Sequence, residues 1–510
     1  MKKHFLLMAL AACCFAGCNK NDNGDEPLTP GEDGLVFVEN NVRYIGNGDK
    51  EYEAPKGNYT LDASKIYVIR GWVYIADGSS LKIPAGTLLK GKSEDANVKG
   101  SSLIIERGAK IYIEGTAEKP VVFTSDKPAG QRKPGDWGGI VICGKAKNNQ
   151  GEMQIEGGPR TRHGGNDDAD NSGVITYCRV EFAGYPFLTD KEINGITLGS
   201  VGNGTAFHHI QVSYSNDDSF EWFGGAVNAT HLVAYHGWDD DFDTDNGFSG
   251  TLQFLLGVRH PKIADASLSN GFESDNDADG DDKTPYTTAK FCNVTLAGPA
   301  NTPGFINEAG AGKYIDAGEF DPNNGSKVGQ FQSGVQIRRN SRISLSNAAI
   351  TGFPVGLIVE NDKSVKNTQS AAGTRQAIKN TVFGGYTDNP AGALYDNTAG
   401  ATPVLGSDKN KTWTDVYSPD ASAITAGEKS FSHRHILHDG ANNSLADIDE
   451  LNLNNHYAPA SGSALINASF TVPAGFNSAG NGYAGAFKSD APADNWLSGW
   501  TNFDPQNTAY

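Results

Sequence analysis

Between Glu192 and Val258 the chain contains neither lysine nor arginine, yet Glu192, Asp217, Asp218, Glu221, Asp239, Asp240, Asp241, Asp243 and Asp245 all fall in that stretch. No base next in sequence neutralises these carboxylates, so a cation, bound protons or solvent must. Methionine is nearly absent, at 3 residues, and no long amphipathic stretch of helical period runs through the body of the chain, which argues against a helical bundle. Beyond the first segment there is no apolar run of about 20 residues, which excludes a later membrane-spanning helix. Of only six cysteines in 510 residues three lie within the first 18, and the other three, odd in number and widely spaced, exclude a disulfide framework. What is abundant is glycine, at 62, with many Val, Ile, Thr and Asn, the composition of strands and turns.

The first residues read as an address. Lys2 and Lys3 precede an apolar run from Phe5 to Phe15, and the small pair Ala16-Gly17 precedes Cys18. This resembles a bacterial lipoprotein signal, which implies cleavage of residues 1–17 and lipidation of Cys18; Phe15 stands where such signals usually carry Leu. A plain secretory signal is the other reading. The polar, acidic stretch 18–34 reads as a disordered tether. Acidic residues just after the lipidated cysteine resemble the surface-export signal of Bacteroidota lipoproteins. The expected location is the outer membrane, on the cell surface, with a periplasm-facing anchor as the alternative. Formal charge is −18, and losing Lys2 and Lys3 takes it to about −20, which excludes nucleic acid as a partner and leaves the lipid anchor as the contact with membrane. With Cys13 and Cys14 removed and Cys18 lipidated, Cys143, Cys178 and Cys292 remain, expected as buried, unbridged thiols.

Internal repeats decide the fold. "HIQVSYSNDDSFEWFGG" from His209 aligns without gaps on "HLVAYHGWDDDFDTDNG" from His231, an offset of 22 residues. Asp217 meets Asp239, Asp218 meets Asp240, Phe220 meets Phe242 and Glu221 meets Asp243. Looser copies are "YCRVEFAGYP" from Tyr177, "FCNVTLAGP" from Phe291, "NAAITGFP" from Asn347 and "NTVFGGY" from Asn380. Each reads as a short alternating strand ended by Gly or a polar turn. WD40 blades need about 40 residues per copy, and the leucine-rich and calcium β-roll phrases are missing. A right-handed parallel β-helix, all-β, remains, with one coil per repeat. In it Ile210, Leu232, Val212 and Ala234 should point inward, while His209, Gln211, Ser213, His231, Val233 and Tyr235 face out. Residues 35–65 are expected as an N-terminal cap, 66–400 as the helix, and 401–510 as final coils and a C-terminal cap holding Trp496 and Trp500. Cys178 and Cys292 are expected at one register, several coils apart.

The early units from Gly71, Gly100 and Lys119 resemble the first coils of many bacterial surface β-helix proteins. With the central phrases and "NWLSGWTNFDP" from Asn495, the chain resembles a family of β-helix lipoproteins of Bacteroidota with a pectate-lyase-like fold. That resemblance implies fold and address; it supplies no catalytic residues.

If one coil is 22 residues, the paired carboxylates stack one above another. Hard cations take many oxygen ligands, so calcium is expected at Asp217, Asp239, Asp240, Asp241 and Asp243. A second site is expected in "ESDNDADGDD", at Asp275, Asp277 and Asp279; the EF-hand form fails there, because position twelve from Asp275 is Tyr286. Solvated side chains are one alternative, and a catalytic cluster of Asp217, Asp218, Asp239 and Asp240, helped by outward His209 or His231, is another. Zinc at His208, His209, His231 and His236 is the weaker reading of those histidines. Phe220 and Phe242 should stack in the core, whereas Trp222, Tyr235 and Trp238 are candidate ligand-binding rings. Three functions compete: a surface lipoprotein that binds a glycan or nutrient for an outer-membrane transporter, a polysaccharide lyase or glycoside hydrolase, and a structural or adhesive spine. The lyase reading lacks a nearby strong base, and the hydrolase signatures are absent.

Overall fold

The computed structural model describes residues 29–30, 34–93, 100–188, 191–305, 307, 326, 329–368, 377–386, 394–397 and 442–510. The signal, Cys18 and most of the tether lie outside them, as do residues 401–441. One sheet has eleven strands, every neighbour parallel: it climbs from Glu51–Glu53 through Trp72–Ile75, Ser102–Ile105, Gly139–Cys143, Ile196–Gly199, Phe220–Phe223, Phe242–Asp245, Phe272–Ser274, Ser333–Ile337 and Val355–Glu360 to Leu394–Asn397. A second, 18-stranded sheet faces it and is parallel except at its N-terminal end, where Val36–Glu39 pairs antiparallel with both Thr29–Pro30 and Val42–Ile45. The chain is a parallel β-helix, as the repeats require. The first coil starts earlier than expected, because Val42–Ile45, Glu51–Glu53 and Asn58–Thr60 already pair with the coil above. The only α-helix among the described residues is Asn361–Thr368.

The long sheet changes character part-way up. Lys110–Glu114 and Val121–Ser125 are separate strands, but both pair with the single strand Gly173–Glu181, where Tyr177 alone stands opposite the turn at 115–120. Tyr177 adopts left-handed backbone, φ 47°, and so does its equivalent in each later coil: His209, His231, Phe254, Asn293, Asn347, Asn380 and Asn442. That conformation costs roughly 1–2 kcal/mol in a non-glycine residue, least in Asn. Stacking offsets the cost in the lower coils, with ring centroids 4.4 Å apart for Tyr177–His209, 4.2 Å for His209–His231 and 4.9 Å for His231–Phe254. Higher up the amides take over: Asn380 donates to Asn347 at 2.8 Å and Asn442 to Asn380 at 2.9 Å.

This kink position also corrects one register. Asn293, not Phe291, is the equivalent of Tyr177, so Cys178 stacks in line with Ile210, Leu232, Leu255 and Val294, and Cys292 lies two residues off. Cys143, Cys178 and Cys292 are free and buried. Inside, Ile210, Leu232, Val212 and Ala234 join one continuous core, and Phe220, Phe242 and Phe272 stack at 5.6 and 5.1 Å.

The C-terminal segment departs from expectation. Instead of closing the last coil, residues 471–510 run back along the outer face of the long sheet as a strap. Gln253 exchanges two hydrogen bonds with the backbone of Asn477, at 3.0 and 2.8 Å, and Gln211 two with Asn502, both 2.8 Å. Trp496 packs on His231 and Trp500 on His209 and Tyr177. Further down, Arg132 donates to the carbonyls of Pro505 and Thr508, and Tyr510 to Glu181. Gln211, Ser213 and Val233 face out of the coil as expected, yet all three are completely buried: Gln211 bonds the strap at Asn502, and Val233 packs with Ala486, Phe487, Leu497 and Trp500.

Candidate metal centre

Strand parity builds the site. Along Phe220–Phe223, Phe242–Asp245 and Phe272–Ser274 the first residue points into the core, so the second points out, and Glu221, Asp243 and Glu273 pair in register on three successive coils. Two residues before each Phe lies another ladder. Asp218 Oδ1 accepts the backbone N–H of Asp240 at 2.8 Å, Asp240 Oδ1 that of Asn270 at 2.5 Å, and Asn270 Oδ1 that of Ser333 at 3.0 Å. One oxygen of each acid therefore stitches its coil to the next, and the other is left over. Together with Asp217, Asp239, Asp265, Ser267 and Glu156, these side chains line a cleft of about 220 Å³ that holds nine carboxylates and, among the described residues, no lysine or arginine.

Like charges one strand spacing apart, ~4.8 Å, repel by roughly 3–4 kcal/mol at an effective dielectric near 20. Burial is the first cause of a strong upward push on the carboxyls of Asp218, Glu221, Asp240 and Asp243, and neighbouring carboxylates add to it. Asp239 is raised to about 8 by burial and then by Asp265, and Asp245 to about 8 by burial and then by Asp275. The ends of the ladder are tied off: Asn194 donates to Glu221, and Arg338 to Glu273. In the middle, Oδ1 of Asp239 and Oδ1 of Asp243 are buried with no hydrogen-bond partner among the described residues. An all-oxygen donor set with unsatisfied buried acceptors fits a hard cation. Three triads each bring one oxygen per residue within 4.8 Å of the others: Asp217, Asp218 and Asp239; Asp218, Glu221 and Asp243; Asp240, Asp243 and Glu273.

Residues 53–415, most of the chain, match the family described as the pectate-lyase like beta helix domain. The chain belongs to that family. A solved structure similar to it is described as the crystal structure of pectate lyase Pel9A, at 12% identity and a TM-score of 0.36, covering 82% of this chain and 89% of that one. Among curated proteins, none matches.

In this pectate-lyase-like β-helix, the expected ligands Asp217, Asp239, Asp240 and Asp243 meet in the cleft, with Asp218. Asp241 does not. It lies just before the strand Phe242–Asp245, at a corner where strand alternation does not hold, and turns into the helix, where it pairs with Arg259 at 2.9 Å, both side chains fully buried. The expected second site also divides. Asp275 is held by Arg338 at 2.9 Å and Arg339 at 2.7 Å, while Asp277 and Asp279 group with Asp281. His209 and His231 are absent from the cleft lining; they belong to the kink stack under the strap, and burial lowers them to about 4 and about 3, so they stay neutral. Neither tryptophan offers a face to a ligand. Trp222 shares the parity of Phe220 and lies wholly inside, and Trp238 packs against Phe182, Tyr214 and Ile263. Tyr235 is half-buried, donating to the carbonyl of Phe503 at 3.1 Å. Sequence reasoning passed over Glu156, Asp265 and Glu273 as cleft members, and over Arg338. Glu273 was recoverable, because "GFES" repeats the Phe-acid pair of the two earlier coils.

Proposed function

We propose that this chain is an outer-membrane lipoprotein, displayed at the cell surface through Cys18, whose β-helix holds calcium in the carboxylate cleft and binds a glycan or nutrient ligand beside it for an outer-membrane transporter. The observation that carries the reading is the cleft, where buried carboxylate oxygens of successive coils converge and two have no partner among the described residues. Asp217, Asp218, Glu221, Asp239, Asp240, Asp243 and Glu273 would hold the ion, which when bound supplies positive charge to oxygen ligands. The ligand's place is a hollow of about 810 Å³ that shares Glu156 with the cleft. Its wall mixes the apolar Met153, Ile155 and Phe223 with Gln150, Gln154, Asn246, Asp245 and Lys283, groups suited to the faces and hydroxyls of a sugar.

A second reading is glycan cleavage. Asp239 and Asp245, both raised to about 8, hold protons at neutral pH and so have the character of a general acid. One screen tests both readings: the soluble body on a panel of polysaccharides, with calcium and with chelator, scored for retention and for released ends. Calcium-dependent retention without cleavage supports the binder, and new ends support the enzyme. No response to any glycan in either condition overturns both. Anchoring is tested apart from these, since Cys18→Ala should move the protein from the membrane to the soluble fraction.

A further inference from the structure

We infer that the cleft takes a row of divalent cations rather than one, with Asp218 and Asp243 each shared between neighbouring ions. This rests on the reading that the cleft binds a cation at all. The triads overlap: Asp218 belongs to the first and the second, and Asp243 to the second and the third. Coil stacking produces this overlap, since two coils carry acids at both positions, Asp218 with Glu221 and Asp240 with Asp243, and the third adds Glu273 one strand spacing further on.

Hydrogen bonding leaves the oxygens that such sharing needs. Asp218 and Asp240 each commit Oδ1 to a backbone N–H of the next coil and keep Oδ2. Among the described residues, Asp243 sits mid-ladder with Oδ1 buried and unpartnered, and Asp239 has a second buried, unpartnered oxygen at the first triad. Charge points the same way. Nine carboxylates line the cleft, and one divalent ion leaves most of them facing like charge. The cleft, at about 220 Å³, is roughly seven water volumes, room for more than one ion with its remaining waters. The triad of Asp277, Asp279 and Asp281 is different. There Asp277 Oδ1 already accepts the N–H of Asp279 and of Asp281, and Lys283 Nζ lies 3.8 Å away. It stands outside the row.

Calcium titration of the mature chain by calorimetry, with terbium and europium luminescence as a second readout, tests this. More than one equivalent should bind in the cleft, and terbium should transfer energy to europium in the mixed-metal protein, which requires ions a few ångströms apart. Asp243→Asn should remove at least one equivalent and weaken the rest by about tenfold, whereas Asp277→Asn should leave the count unchanged. A single equivalent with no energy transfer overturns the row and leaves the single-ion reading standing. No binding at all overturns both. Should Asp243→Asn not fold, the energy transfer in the unaltered protein still decides.

Discussion

Two faces of the same coils carry polar side chains in ladders, and they solve their hydrogen bonding in opposite ways. On the long sheet Gln211, Gln253, Asn293 and Asn347 present amides, and the strap answers them with its own backbone, including the Gly480 and Tyr483 carbonyls. On the short sheet Glu221, Asp243 and Glu273 present carboxylates, and among the described residues only Asn194 and Arg338 answer, at the two ends. Neutral donors and acceptors can be matched by any backbone laid across them. Packed anions cannot, because a peptide segment brings no net charge. The chain closes the first face with itself and leaves the second to something it does not encode.

The comparison is most severely tested by Trp500→Ala, which removes a buried ring that anchors the strap over Tyr177 and His209. It should cost about 3–5 kcal/mol and leave the calcium response intact, read by denaturant melts with and without chelator. Next in size is calcium itself. At a hundred times its dissociation constant it should stabilise by about 2.7 kcal/mol, seen as a fall in Tm on chelation that readdition reverses. Asp239→Asn should shrink that response and, above about pH 8 where Asp239 ionises, stabilise the metal-free protein, since there it removes a buried charge.

A smaller effect is expected from pH. Asp239 and Asp245 are raised from 3.8 to about 8, so their folded forms hold protons more tightly than the unfolded chain does. The stability they contribute is full below about pH 4 and is lost as pH rises through 8. In chelator, Tm should fall between pH 5 and 8.5. Saturating calcium should flatten that slope, because it binds the ionised form. A steeper fall with calcium than without would break the contrast between the faces. Smallest is Gln253→Ala, which removes both bonds to Asn477 for about 1 kcal/mol and should leave the calcium titration unmoved.

Much of the fold was legible because the chain repeats with few interruptions where the acids are. Phe220 and Phe242 are paired at an offset of 22, which reading the two phrases side by side reveals. The next partners, Phe272 and Val335, are pushed 30 and then 63 residues on by intervening loops, so Glu273 and Arg338 did not announce their neighbours. Position in a strand also outranked chemistry. Asp241 and Trp222 looked like site residues by type, yet alternation turns Trp222 inward, and the corner before Phe242 turns Asp241 in to meet Arg259. The strap was illegible for another reason: its grip is mostly side chain to backbone, and backbone groups leave no pattern in a sequence. The Asx-like bonds of Asp218 and Asp240 were hidden in the same way.

The strap has a kinetic meaning as well. An ordinary solenoid is nearest-neighbour in its contacts, so its ends can fray coil by coil. Here Gln211 bonds Asn502 across 291 residues and Arg132 bonds Thr508 across 376, among the highest contact orders a chain of this length allows. Every coil the strap covers precedes it in sequence, so closing it over them carries a large loop-entropy cost. Once made, it works as a latch. Opening any covered coil requires releasing a segment that also grips its neighbours, and the protein should unfold slowly and as a unit.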